Sequence, residues 1–188
     1  MRIISGDKKG LTLKSVPGNT TRPTSDKVKE SIFNMIGPYF QGGVMLDLYA
    51  GSGAMGIESL SRGMDQAVFV DRDKKAIETI HLNLKIAKLE SKGEVFRTDA
   101  QRALKAIHRK ERKFDLIFLD PPYAKQQLKQ EISFIDEHDL LVDGGVIVLE
   151  HTSKLSLSDH GTSYSLDREE SYGDTTVTIL TNRPKEEL

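Results

Sequence analysis

The feature that most restricts this chain begins at Val44, where short apolar runs start to alternate with segments whose apolar residues recur at helical spacing. Strands are expected at Val44 to Tyr49, Ala67 to Val70, Glu94 to Arg97, Phe114 to Leu119 and Val146 to Glu150. Between them lie one helical pattern running to about Arg62, one carrying Ile77, Ile80 and Leu84, one through Leu104 and Ile107, and one with Leu128, Ile132 and Ile135. Strands separated by helices pair in parallel rather than as hairpins, so the pattern predicts an α/β fold with a mostly parallel sheet and helices on both faces. Two late β segments, near Ser163 to Leu166 and at Thr175 to Thr181, are joined through Tyr172-Gly173-Asp174 and read as an antiparallel hairpin at the sheet edge. Upstream, Gly6, Gly10, Pro17 and Gly18 punctuate short apolar alternations, as in a small hairpin or extended arm. Thr24 or Ser25 can cap the next helix, which carries Val28, Ile32, Met35 and Ile36 and stops at Gly37-Pro38.

A length of 188 residues suits one domain, with 1–40 as arm and helix and 41–188 as the sheet core. No apolar run approaches a membrane span and the start lacks the apolar stretch of a signal peptide, so a cytoplasmic protein without membrane contact is expected. The absence of cysteine removes disulfides, thiolate metal sites and every cysteine-nucleophile mechanism. His81, His108, His138, His151 and His160 show no metal-ligand spacing, and no metal is expected. The net charge of -1 hides an uneven distribution: residues 1–30 hold Arg2, Lys8, Lys9, Lys14, Arg22, Lys27 and Lys29 against Asp7, Asp26 and Glu30. Such a basic end suits a phosphate-binding surface, or simply a solvated face. A second basic run, Lys105 to Lys113, reads first as a solvated helix end.

Asp47-Leu48-Tyr49-Ala50-Gly51-Ser52-Gly53-Ala54-Met55-Gly56 stands where the first strand gives way to a helix. Glycines there let the backbone turn sharply and approach a ligand, beside the unpaired N–H groups of a helix start. Gly51, Gly53 and Gly56 also match the dinucleotide fingerprint, a weak signal taken alone. Asp47 tilts the choice, because a carboxylate at the strand tip suits a cationic ligand better than a pyrophosphate. S-adenosyl-L-methionine carries both an ammonium and a sulfonium. On this reading Tyr49, Ala50, Gly51, Ser52 and Gly53 surround the ligand. Asp71, with Arg72 after it, closes the second strand where an acid can accept from ribose hydroxyls, and Asp99 can hold the adenine amino group with Ala100 leaving room for the ring. The plain alternative makes Asp71 and Asp99 helix caps.

Asp120-Pro121-Pro122-Tyr123 follows the apolar strand Phe114 to Leu119 directly. A carboxylate, two rigid prolines and an aromatic ring at a strand's carboxyl end suit the exocyclic amine of a base. That nitrogen is a poor nucleophile because its lone pair is delocalised into the ring. If Asp120 and the Pro121 carbonyl accept its two N–H bonds, the nitrogen is drawn towards a tetrahedral shape and its developing positive charge is stabilised. Tyr123 can stack on the extruded base, an interaction worth ~1–3 kcal/mol. The plain alternative is a Pro-Pro turn that ends a strand.

Taken together, Asp47 to Gly53, Asp71, Asp99 and Asp120 to Tyr123 resemble a class I methyltransferase with an amino-methylating motif. Arg2 to Gly6, Arg22-Pro23-Thr24-Ser25-Asp26-Lys27-Val28-Lys29-Glu30 and Tyr172-Gly173-Asp174-Thr175 look like segments of the bacterial 16S ribosomal RNA guanine-N2 methyltransferases of the RsmD type. The resemblance runs through nearly the whole chain, with Tyr49 where relatives more often have Phe. It implies a seven-stranded Rossmann-like sheet and methylation of one guanine of 16S rRNA, in the small ribosomal subunit or an assembly intermediate. The protein itself is expected to be a monomer. Arg2, Arg22 and Lys27 are then expected on phosphates and Thr24 near the flipped base.

Three rivals stay open. A DNA adenine-N6 or cytosine-N4 methyltransferase would use the same tetrapeptide, but the chain has no room for a separate target-recognition domain. An NAD-dependent oxidoreductase would use the glycines and give Asp120 to Tyr123 no role. A non-catalytic RNA-binding module would tolerate loss of Asp120.

Overall fold

The computed structural model describes residues 1–18, 23–122 and 125–184. Seven strands form a sheet of order β3-β2-β1-β4-β5-β7-β6, numbered along the chain. The chain divides into two compact units, Met1–Ala100 and Gln101–Leu188.

In the first unit, α1 (Asp26–Ile36) is followed by β1 (Val44–Asp47), α2 (Ala54–Ser61), β2 (Gln66–Asp71), α3 (Lys74–Ile86) and β3 (Gly93–Arg97). β2 lies between β1 and β3 and runs parallel to both. Parallel strands inside a sheet are covered on both faces, and Met45, Leu46, Ala67, Val68, Phe69 and Val70 are accordingly all buried. β1 stops at Asp47, short of the expected Tyr49, because Leu48 and Tyr49 already belong to the turn. Ser25 caps α1, its side chain accepting from Val28 N–H, and Asp73 caps α3, accepting from Lys75 N–H. The opening residues form the expected small hairpin: Arg2 and Thr12 bridge antiparallel, Ile3 N–H donates to Leu11 at 2.9 Å and Leu13 N–H to Met1 at 2.9 Å. Ile3 and Leu13 are buried, so the hairpin is part of the core rather than a free arm.

In the second unit, α4 (Ala100–Arg109) leads into β4 (Phe114–Leu119), α5 (Lys125–Glu137), β5 (Leu141–Thr152), β6 (Ser165–Tyr172) and β7 (Thr175–Thr181). β4 and β5 are parallel, whereas β7 is antiparallel to both β5 and β6. The C-terminal hairpin is therefore present, with two corrections of extent. β5 spans 12 residues rather than Val146 to Glu150, because pairing with β7 carries it out to Thr152 and pairing with β4 back to Leu141, across the pattern-breaking Asp143-Gly144-Gly145. β6 runs to Tyr172 rather than stopping at Leu166, since Asp167-Arg168-Glu169-Glu170 is drawn into the sheet by hydrogen bonds to β7 and keeps its polar side chains outward. Among the described residues no helix is long and apolar enough to cross a membrane.

Candidate functional site

In the first unit the glycine-rich turn is held from several directions. Ala50 N–H donates to Val70 C=O at 2.9 Å and Gly53 N–H to Ala50 C=O at 2.7 Å. Gly51 N–H donates to Asp71 Oδ2 at 2.9 Å, while Asp71 Oδ1 accepts Asp73 N–H at 2.9 Å. Gly53 stands at the N-cap of α2 with φ +81°, a left-handed conformation that glycine adopts without penalty. At Gly56 a Cβ would lie 2.3 Å from the Phe69 ring, so only glycine lets α2 settle onto β2. A Cβ on Gly51, by contrast, would meet nothing within 4 Å, leaving that stretch of backbone open. Ala50 is buried and Tyr49 half-buried. Ser52 is tied at both ends, its carbonyl accepting Asn83 Nδ2–H at 2.9 Å and its hydroxyl donating to Met1 Sδ at 3.5 Å.

Asp47 lies beneath this turn rather than on its surface, with 1% exposure. Its Oδ2 accepts Gly56 N–H at 3.2 Å, and Oδ1 is buried with no hydrogen-bond partner. Burial pushes the carboxyl up from 3.8 to about 7, an effect the Gly56 N–H opposes and the charge of Asp71 reinforces. When ionised, Asp47 therefore acts on anything above the turn from below, not through an exposed contact. Asp71 is partly exposed, and a carboxylate with one N–H on each oxygen keeps acceptor capacity for a further donor. It is not the cap of α3, a role that Asp73 fills. Arg72 is exposed, and its carbonyl accepts Arg97 Nε–H at 3.3 Å. Thr98 N–H donates to Asp71 C=O at 3.1 Å, linking the tips of β2 and β3. The partly exposed Asp99 stands directly before α4, and Ala100, its first residue, is buried.

In the second unit Asp120 follows β4 immediately and is partly exposed, with Pro121 buried and Pro122 exposed after it. Tyr123 lies outside the described residues. β4 itself is anchored by Phe114, Leu116, Ile117, Phe118 and Leu119, all buried, which gives Asp120 a rigid base.

Among the residues expected on RNA, Arg2 and Lys27 are exposed and Thr24 is half-buried. Arg22 lies outside the described residues. Arg2 stands 3.6 Å from Asp26, an exposed pair of modest worth. Lys29 needs a correction: although it belongs to the basic opening segment, it is buried on Glu58 and presents no charge to a ligand. Glu58, at 0% exposure, is the hub of the opening segment. It accepts Ile4 N–H at 3.0 Å, Ser5 N–H at 3.1 Å and Arg62 Nε–H at 2.9 Å, with Lys29 Nζ at 3.5 Å. Lys29 in turn donates to the Arg2 carbonyl at 2.6 Å. Desolvation lowers the Lys29 pKa and the Glu58 charge pulls it back. Asn83 makes a comparable junction, accepting Lys14 N–H at 2.8 Å while donating to the Lys14 carbonyl at 2.9 Å as well as to Ser52. Sequence reasoning missed Glu58, Arg62 and Asn83. The four-residue spacing of Glu58 and Arg62 on a helix signals their pairing, but not its burial, and nothing local marks Asn83.

Residues 1–181 match the family model described as conserved hypothetical protein 95. The chain belongs to this family. A Bacillus subtilis (strain 168) protein named "Putative rRNA methyltransferase YlbH" is 54% identical over 97% of this chain and 100% of its own length. A Haemophilus influenzae (strain ATCC 51907 / DSM 11121 / KW20 / Rd) protein named ribosomal RNA small subunit methyltransferase D is 35% identical over 80% of this chain and 78% of its own. A solved structure of a conserved hypothetical protein from Streptococcus pyogenes superposes with a TM-score of 0.78 at 38% identity, covering 83% of this chain and 96% of that one. Membership of the family bears out the resemblance to RsmD-type methyltransferases drawn from the motifs.

Proposed function

We propose that this chain uses S-adenosyl-L-methionine to methylate the N2 amino group of a guanine in 16S rRNA, acting in the cytoplasm as a monomer on the small subunit or an assembly intermediate. The observation that carries the reading is the acid-Pro-Pro sequence at the carboxyl end of β4, in a chain whose relatives are named as ribosomal RNA methyltransferases.

The glycine turn fits such a cofactor. Gly51 faces open space, Asp71 keeps acceptor capacity, and a buried Asp47 oxygen without a partner lies under the turn, where a cation above it would favour the ionised carboxyl. Tyr49 to Gly53 would hold the methionine part, Asp71 and Arg72 the ribose, and Asp99 and Ala100 the adenine. When bound, S-adenosyl-L-methionine supplies an electrophilic methyl group on a sulfonium. Asp120 and the Pro121 carbonyl accept the amine N–H bonds and aim its lone pair, Pro122 stiffens the turn, and Tyr123 stacks on the base. Asp120 or water then removes the proton. Arg2, Arg22 and Lys27 take phosphates around the target, with Thr24 close to the base.

Labelled-methyl transfer into small subunits from a strain lacking the activity, followed by mapping of the modified nucleotide, tests the reading. One labelled guanine N2 in 16S rRNA is expected, whereas label confined to DNA or to another base overturns it. Asp120→Ala should keep cofactor affinity within a factor of about two and lower the transfer rate roughly 10²–10³-fold, the loss typical of one preorganised electrostatic partner. Full turnover by that variant would remove Asp120 from the mechanism.

A further inference from the structure

Residues 101–113 hold Arg102, Lys105, Arg109, Lys110, Arg112 and Lys113 against one acid, Glu111, in a protein of net charge -1. A solvated helix end accounts for part of this, since cations favour a helix C-terminus. It does not account for Arg102 near the start of α4, nor for the groups assembled at its far end. Arg102, Lys105 and Arg109 are exposed and spaced three and four apart, so they line one stripe of the helix. Where α4 ends, the ring of His108 lies 4.1 Å from that of His138 at 39°, and Phe134 lies 4.2 Å from His138 at 51°. A cavity of about 580 Å³ opens beside this ring cluster, walled by His108, Arg109, Arg112, Lys113 and His138. Glu111 and Asp139 also border it, and Asp139 pairs with Lys113, so the cations assigned to a ligand are the exposed Lys105 and Arg109 of the α4 stripe.

His108 is the exposed ring of the cluster, with His138 and Phe134 half-buried behind it. Cations beside an exposed ring are the combination that binds nucleic acid without reading its sequence: phosphates meet the charges and a base meets a ring face. We infer that the α4 stripe and the His108–His138 cluster form a second RNA contact, separate from the contacts assigned to the target nucleotide. The inference rests on the RNA reading above. The cluster flanks the start of β4 and Asp120 follows its end, and six residues of strand span roughly 20 Å. A surface so placed engages RNA beyond the target nucleotide, so it serves a large folded substrate and not a short fragment.

The Lys105→Glu/Arg109→Glu double variant changes two exposed residues outside the proposed cofactor and base machinery. Its binding to purified small ribosomal subunits, and to an oligonucleotide of about four nucleotides carrying the target guanine, is measured across a salt series. For subunits the affinity should fall by about an order of magnitude and the salt slope by roughly 1.4–1.8, the value for two phosphate contacts. Oligonucleotide binding, S-adenosyl-L-methionine affinity and the melting temperature should stay at wild-type values. His108→Ala should weaken subunit binding severalfold while leaving the salt slope in place, since it removes the exposed stacking ring and no phosphate contact. Wild-type binding to subunits that survives the charge reversal with an unchanged slope overturns the second contact alone. Failure of the wild-type protein to bind any RNA overturns the functional reading and this inference with it.

Discussion

Asp47 makes the stability of the ligand-free protein depend on pH in an unusual direction. Its carboxyl stands at about 7 in the folded chain against an ordinary 3.8, because burial beneath the glycine turn disfavours the charge. The unfolded chain has lost this proton well below neutrality, while the folded chain keeps it until about pH 7. Stability from this group is thus fully present below pH 3.8 and is lost as pH rises through 7. Between pH 6 and pH 8 the folded carboxyl goes from about one-tenth to nine-tenths ionised, which removes about 1.4 kcal/mol. For a chain of this size that corresponds to a fall in melting temperature of about 3–6 °C. Asp47→Asn keeps an acceptor for Gly56 N–H and abolishes the titration. Its absolute stability is a poor readout, because the new amide N–H is itself buried. Melting curves by circular dichroism at half-unit pH steps for both proteins give the useful quantity, the difference between their pH slopes, since every other titrating group is common to the two. Parallel slopes between pH 6 and pH 8 would refute the assignment of a raised pKa to Asp47. A cation seated over the turn would favour the ionised carboxyl, so S-adenosyl-L-methionine affinity should move the opposite way, rising about fivefold from pH 6 to pH 7 by calorimetry.

Glu58→Ala leaves Lys29 and Arg62 buried without their counter-charge and should cost about 3–5 kcal/mol, with amide exchange at Ile4 and Ser5 accelerating most; a variant that melts like wild type removes Glu58 from its role as hub. Asp71→Ala strips acceptors from Gly51 and Asp73 N–H and should weaken S-adenosyl-L-methionine by about tenfold or more, as a rise in KM with kcat at saturation largely kept, so equal affinities by calorimetry would place the ribose elsewhere. Reversing Arg22 and Lys27 to Glu should lower RNA affinity and its salt slope, and unchanged values by filter binding would take the opening segment out of the RNA surface.

Much of the fold was legible because its periodicities are local. Phe114 to Leu119 reads as a buried strand from six consecutive residues, and the structure places β4 there. β6 was only partly legible, since Asp167 to Glu170 carries no apolar alternation and is a strand solely because β7 supplies its hydrogen bonds. The candidate site divides in the same way. Gly51, Gly53 and Gly56 are readable because a tight turn between strand and helix demands glycine, whereas the depth of Asp47 is set by Phe69, α2 and the turn closing over it. Lys29 shows the cost of reading charge without burial: as sequence it is one more cation of a basic end, and in the structure it is the internal partner of a glutamate 29 residues away.

The amino-acid order by itself determined the alternation of strands and helices, the glycine turn and the acid-Pro-Pro motif, because each depends on side-chain spacing over a few residues. Which charges face water, and what joins the first residues to the sheet, was decided only in three dimensions. Glu58 and Asn83 each gather backbone groups from distant segments, Ile4 and Ser5 in one case and Lys14 and Ser52 in the other. A buried polar group takes whatever partner the packing brings within hydrogen-bond reach, and no spacing along the chain encodes that distance.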